Sequence, residues 1–179
     1  MYKYIFSLAA AGLIVLFADH AAADTDDSPY LGIQYAFGNV GVDTLSTDFN
    51  PTTLVARVGK FFHRSYSVEG RIAFPLQDDT KTVSGNDATV GLFGLLGAYG
   101  TARLNWQRYS IYGIAGLSLV EGEIKVSSTT QSDSELGISY GAGLDIRFGG
   151  TLVNLEYLSY LDESSFDFDA LGIGVTIVF

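Results

Sequence analysis

Seven charged side chains fall in phase with one another along short alternating segments: Arg57, Glu69, Arg71, Arg103, Asp145, Arg147 and Glu156. Two kinds of chemistry are open to them. Glu69 and Glu156 are a carboxylate pair of the type that general acid–base catalysis uses. The same two are also the counter-ions that Arg57, Arg71, Arg103 and Arg147 need if all are taken out of water, because a buried charge must be paired. Four cations against three anions is near balance, which favours the second reading: an internal ion-pair network. His63 is the only histidine beyond the first 23 residues, and it reads as a solvated turn residue beside Arg64. With no cysteine there is neither a disulfide nor a thiolate metal site. No cofactor is expected.

A third constellation is acidic. Asp43, Asp48, Asp78, Asp79, Asp87, Glu121, Glu123, Asp133, Glu135, Asp162, Glu163, Asp167 and Asp169 crowd four longer connections, opposed only by Lys81 and Lys125. Carboxylate oxygens suit Ca²⁺ or Mg²⁺, so divalent-cation binding is one reading. No connection has the spacing of a calcium loop. Solubility and mutual repulsion are the plainer account.

The elements that position these groups are strands. Ile138, Tyr140, Ala142, Leu144, Ile146 and Phe148 alternate with Ser139, Gly141, Gly143, Asp145 and Arg147, a strict period of two. Leu171, Ile173, Val175, Ile177 and Phe179 alternate in the same way with Gly172, Gly174, Thr176 and Val178, as do Leu31, Ile33, Tyr35 and Phe37 with Gly32, Gln34 and Ala36. In 54–62, 66–74 and 151–161 the phase follows from the charges, which share one face with Val55, Ser67 and Asn154 and oppose Val58, Val68, Leu155 and Leu161. Residues 88–106 and 109–122 are apolar on both faces. Arg103, Asn105, Ser110 and Ser118 set their outward faces as Ala98 to Trp106 and Tyr109 to Leu119. A helical hairpin turning at Gln107-Arg108 competes for these two, against the weight of their glycines. The sum is eight strands, near 29–40, 52–62, 66–76, 88–106, 109–122, 135–149, 151–161 and 169–179. Connections at 63–65, 107–108 and 149–150 are short; those near 41–51, 77–87, 123–134 and 162–168 are long. This predicts an all-β fold, an eight-stranded antiparallel up-and-down transmembrane β-barrel.

Alternation alone suits a soluble barrel equally well. The direction of the faces decides. Eight strands leave an interior that side chains just fill; ion pairs inside leave hydrocarbon for the apolar wall, and closure removes the edges lipid could not satisfy. Phe62, Tyr66, Trp106, Tyr109, Phe148 and Phe179 all sit at short-turn ends in the outward phase, as an interfacial aromatic belt would. The 21 glycines and 13% aromatics fit strands better than a helical bundle. The net charge of −10 excludes a nucleic-acid partner.

Lys3, the apolar run 5–18 and the small residues Ala21-Ala22-Ala23 read as a signal peptide, too short to span a bilayer. The expected domains are 1–23, removed on export through the periplasm, and 24–179, the barrel.

The run from Ser139 to Phe148, with the following Asn154-Leu155-Glu156-Tyr157, resembles OmpA-type outer-membrane barrel domains, especially the small stand-alone OmpX-like and Opa-like "porin family" members. The likeness covers essentially all of 24–179. The ending from Gly174 through Ile177 to Phe179 is similar to the terminal signal read by the barrel assembly machinery. The resemblance implies a bacterial outer membrane, with its lipid, lipopolysaccharide and that machinery as partners. The peptidoglycan-binding domain of larger members is not matched and is not carried over. Barrel enzymes that modify lipid A or cleave protein work near the outer rim, whereas His63 falls at the periplasmic end. The function expected is therefore a non-enzymatic structural or adhesion-like role, with acidic loops meeting a host or envelope surface ligand. The alternative is a small channel or transporter for ions or small hydrophobic molecules.

Overall fold

The computed structural model describes residues 27–42, 47–77, 79–83, 86–126, 129–163 and 166–179. Residues 1–23 and therefore the signal-peptide reading lie outside them. Every described element is a strand: β1 (Pro29–Val42), β2 (Thr47–Phe49), β3 (Thr52–His63), β4 (Tyr66–Gln77), β5 (Asp79–Val83), β6 (Asn86–Trp106), β7 (Tyr109–Val126), β8 (Thr129–Phe148), β9 (Thr151–Glu163) and β10 (Phe166–Val178). Eight of them run β10-β9-β8-β7-β6-β4-β3-β1, each antiparallel to its neighbours. The pairing of β1 with β10, from Tyr30↔Val178 to Val42↔Phe166, closes the cylinder. β2 pairs with β1, and β5 with β6, near the long-connection end. The fold is a closed eight-stranded antiparallel barrel.

The helical hairpin is excluded: residues 88–106 and 109–126 form a continuous ladder from Ala88↔Val126 to Trp106↔Tyr109. The two-residue connections turn on left-handed backbone at Gln107 (φ 42) and Gly149 (φ 63), the conformation that lets a tight hairpin follow strand twist.

The strands outrun their expected ends. Connections read as 123–134 and 162–168 are largely ladder, ending at Val126↔Thr129 and Glu163↔Phe166. Backbone pairing needs no apolar face, so these acid-bearing ends carry no alternation to betray them. A second difference lies in β9. The β9–β10 register shifts between Phe168↔Leu161 and Asp169↔Ser159. Tyr160 is the extra residue of this bulge; it turns inward and stacks on Phe168, centroids 5.1 Å apart. The regular phase that set Leu161 beside Tyr157 breaks there, and the Leu161 side chain lies outside the described residues.

Candidate functional site

The two faces sort as polarity demands. Leu31, Ile33, Ile138, Leu155, Ile173 and Ile177 stand exposed on the outer wall, Ile138 at 71%. Arg57, Glu69, Arg71, Arg103, Asp145 and Glu156 are buried in the lumen, none more than 6% exposed. Such burial of charge is tolerable only when each charge has a counter-ion, and the pairing is dense, with Asp145 Oδ1 left as a buried oxygen without a hydrogen-bond partner among the described residues.

Arg71, from β4, lies at its centre. Its Nη1 and Nη2 donate to Glu156 Oε1 (2.5 Å) and Oε2 (2.8 Å), and its Nε donates to Glu69 Oε1. Tyr30 Oη donates to Glu69 Oε2 at 2.8 Å, and Tyr112 Oη to Glu156 Oε2 at 2.8 Å. All four oxygens of the carboxylate pair are thereby engaged by protein donors. Each of these oxygens already accepts a hydrogen bond from Arg71, Tyr30 or Tyr112, the arrangement that buried counter-ions require. Arg57 donates to Thr176 Oγ1 at 2.5 and 3.1 Å and sits 3.9 Å from Glu156. Arg103 donates to Asp145 Oδ2 at 2.7 Å while its guanidinium covers the rings of Phe61 and Tyr112. Arg147 is not brought into this set. It faces inward by phase but is only half-buried at the short-turn mouth, and no described carboxylate lies within ion-pair distance. Its position two residues beyond Asp145 carries it past the end of the enclosed lumen.

The network is one layer of three. Toward the short turns Tyr30, Phe61, Leu152 and Val178 form an apolar plug. Toward the long connections a larger cluster includes Val40, Phe49, Val55, Leu95, Tyr99, Tyr160 and Phe168. Between these, Tyr99, Ser118 and Ser139 make a hydroxyl chain with contacts of 2.5 and 2.6 Å that ends on the Tyr160 carbonyl. These layers were not evident from the sequence, which marks only which residues face inward. The inward glycines could have hinted at them, since each leaves room for a large neighbour: a Cβ at Gly59 would strike Tyr30, and one at Gly143 would strike Tyr112.

The six belt aromatics are all on the outer surface. Phe62, Tyr66, Trp106, Tyr109, Phe148 and Phe179 are each at least half exposed, at the short-turn end. Gly174 packs inward against Asn154 and Gln34, Ile177 faces outward, and the Phe179 amide donates to the Pro29 carbonyl at 3.0 Å. His63 is exposed and accepts at Nδ1 from the Ser65 amide, 3.2 Å. Among the described residues no group of acids or histidines is arranged to hold a metal ion. Most of the acids in the long connections lie outside the residues whose side chains are described.

Residues 8–179 match the family described as "Outer membrane protein beta-barrel domain". The chain belongs to that family. No curated protein matches the sequence. Among solved structures, Ail, the attachment invasion locus protein of Yersinia pestis, superposes with a TM-score of 0.61 at 18% identity, covering 86% of this chain and 99% of Ail. Neisserial surface protein A gives 0.65 at 14%, over 89% of this chain and 100% of that one. OprG of Pseudomonas aeruginosa gives 0.59 at 13%, over 86% and 97%. At such identities the likeness is one of fold. As a member of the outer membrane barrel family, the protein resides in the bacterial outer membrane. Its exposed apolar wall is the lipid-facing surface, and the short-turn end is the periplasmic one.

Proposed function

We propose that this outer-membrane barrel is a plugged, non-enzymatic surface protein, whose work is done at its extracellular rim rather than through its lumen. The observation that carries this reading is the layered interior: a paired-charge layer spanning the lumen between two apolar layers. An open pore would need continuous water, and a catalytic pair would need a path for substrate past the apolar layers. On this reading Arg57, Glu69, Arg71, Arg103, Asp145 and Glu156 lock the cylinder and the six aromatics set its depth. The ending Gly174 to Phe179 addresses the chain to the assembly machinery after removal of 1–23.

The rim's charge narrows the partner. Ail has been solved in complex with the heparin analogue sucrose octasulfate. Here the long-connection end of the barrel, strand ends included, carries thirteen acids and two lysines, which would repel a polysulfate. A cationic surface, or lipopolysaccharide bridged through divalent cations, is the better electrostatic match.

Planar-bilayer recording tests the proposal. The expected result is no steady conductance from folded protein, together with binding of whole cells displaying it to cationic but not sulfated beads. A stable open state in the wild type would instead support the channel.

A further inference from the structure

The outer wall is not uniformly convex. On β6, β7 and β8 a row of small side chains, Ala102↔Gly113↔Ala142, runs directly above the bulky row Leu104↔Ile111↔Leu144. Tyr157 bounds the far side, and together they enclose a groove of about 590 Å³ with an almost wholly apolar lining. A Cβ at Gly113 would meet nothing within 4 Å. That volume falls in the range of small-molecule pockets, about 300–1,000 Å³.

Its depth and surroundings identify the occupant. Ala102 lies four residues above Trp106, which at about 3.3 Å per residue and a tilt near 40° puts the groove roughly 10 Å above the periplasmic ring level. This is the acyl region of the periplasmic leaflet. At the short-turn end of the same two strands, the Gln107-Arg108 turn carries an exposed arginine that follows Trp106 and precedes Tyr109 in the chain, both rings half-exposed on the outer wall. The Arg108 carbonyl accepts from the Arg147 amide at 2.7 Å, so two cations share this sector. No described carboxylate is within ion-pair distance of either.

We propose that this groove seats one acyl chain of an anionic periplasmic-leaflet phospholipid, whose phosphate is held by Arg108. The site does not depend on whether the lumen is closed. Trp106 is the single tryptophan, which gives a local reporter. The protein is reconstituted in phosphatidylcholine vesicles containing dibrominated phosphatidylglycerol or dibrominated phosphatidylcholine, and quenching of Trp106 is read.

Quenching should favour the glycerol lipid about five-fold, the effect of one arginine at an anionic headgroup surface. Arg108→Gln should bring that ratio to about one, and Gly113→Leu, which fills the groove, should reduce quenching by both lipids. Heat-modifiable gel mobility confirms that each variant folds. Equal quenching by the two lipids in wild type, or a preference unchanged in both variants, overturns the proposal. So does efficient disulfide-linked dimer formation by Ala142→Cys in this cysteine-free chain, which would make the groove a protein interface.

Discussion

Arg71 and Glu156 stand on opposite walls of the barrel and join them. Going round the cylinder, β4 and β9 are separated by three strands on either side, so their bidentate contact crosses the full lumen. Breaking a buried pair by removing one partner costs about 3–5 kcal/mol, because the other charge stays behind. Glu156→Gln and Arg71→Met should each lower unfolding stability in vesicles by that amount, measured by urea titration. The losses should not add; a coupling of about 1–3 kcal/mol is expected in the double variant. Strict additivity would show that the two walls are held independently.

Tyr112 braces that contact from a third strand. Its hydroxyl reaches Glu156 while its ring covers Gly143. Tyr112→Phe removes a hydrogen bond to a charged acceptor and should cost about 1.5–3 kcal/mol. Gly143→Ala overfills the same spot, at about 1–3 kcal/mol. In a Tyr112→Ser background the Gly143→Ala penalty should largely vanish, since the ring it collides with is gone. Equal penalties in both backgrounds would separate the glycine from the tyrosine.

Much of this wall was legible in the sequence, because a membrane barrel writes its two solvents into alternate positions. Ile138 and Ser139, or Ile173 and Gly174, fall where their polarity sends them. The charges gave the phase of β3, β4 and β9. What alternation does not encode is height and partner. Arg147 shares its phase with Asp145, but one further step along the strand takes it to the mouth. Pairs such as Arg71–Glu156 join residues 85 apart, fixed by shear and side-chain reach. The acidic strand ends around Glu121 and Glu135 lie beyond the hydrocarbon, where pairing persists and the apolar signal does not. The bulge at Tyr160 is likewise silent, since an inserted residue looks like one more member of the pattern.

The direction of the faces makes a depth-dependent prediction. Ile173 sits six residues above Phe179 on the outer wall, near the middle of the hydrocarbon, whereas Tyr109 sits at its edge. A lipid-facing arginine costs about 2–4 kcal/mol at the midplane and about 0–1 near the interface. Ile173→Arg should therefore destabilise the vesicle-embedded barrel strongly, and Tyr109→Arg only slightly. Equal effects would mean that the outer wall does not meet a lipid gradient.

The last residue separates assembly from stability. Phe179 follows the end of β10, its ring exposed at the periplasmic belt and its amide bonded to Pro29. Closure of the cylinder does not depend on it, because the β1–β10 ladder already begins at Tyr30↔Val178. If Phe179 is read by the assembly machinery, its deletion should sharply reduce heat-modifiable barrel in cell outer membranes. Purified, truncated chain refolded in detergent should still reach the compact form, since one backbone bond is worth only about 0.5–1.5 kcal/mol. Phe179→Tyr, which keeps a terminal aromatic, should assemble normally in cells. A truncated chain that failed equally in detergent would make the residue a structural clasp, and one displayed normally in cells would end its role as a signal.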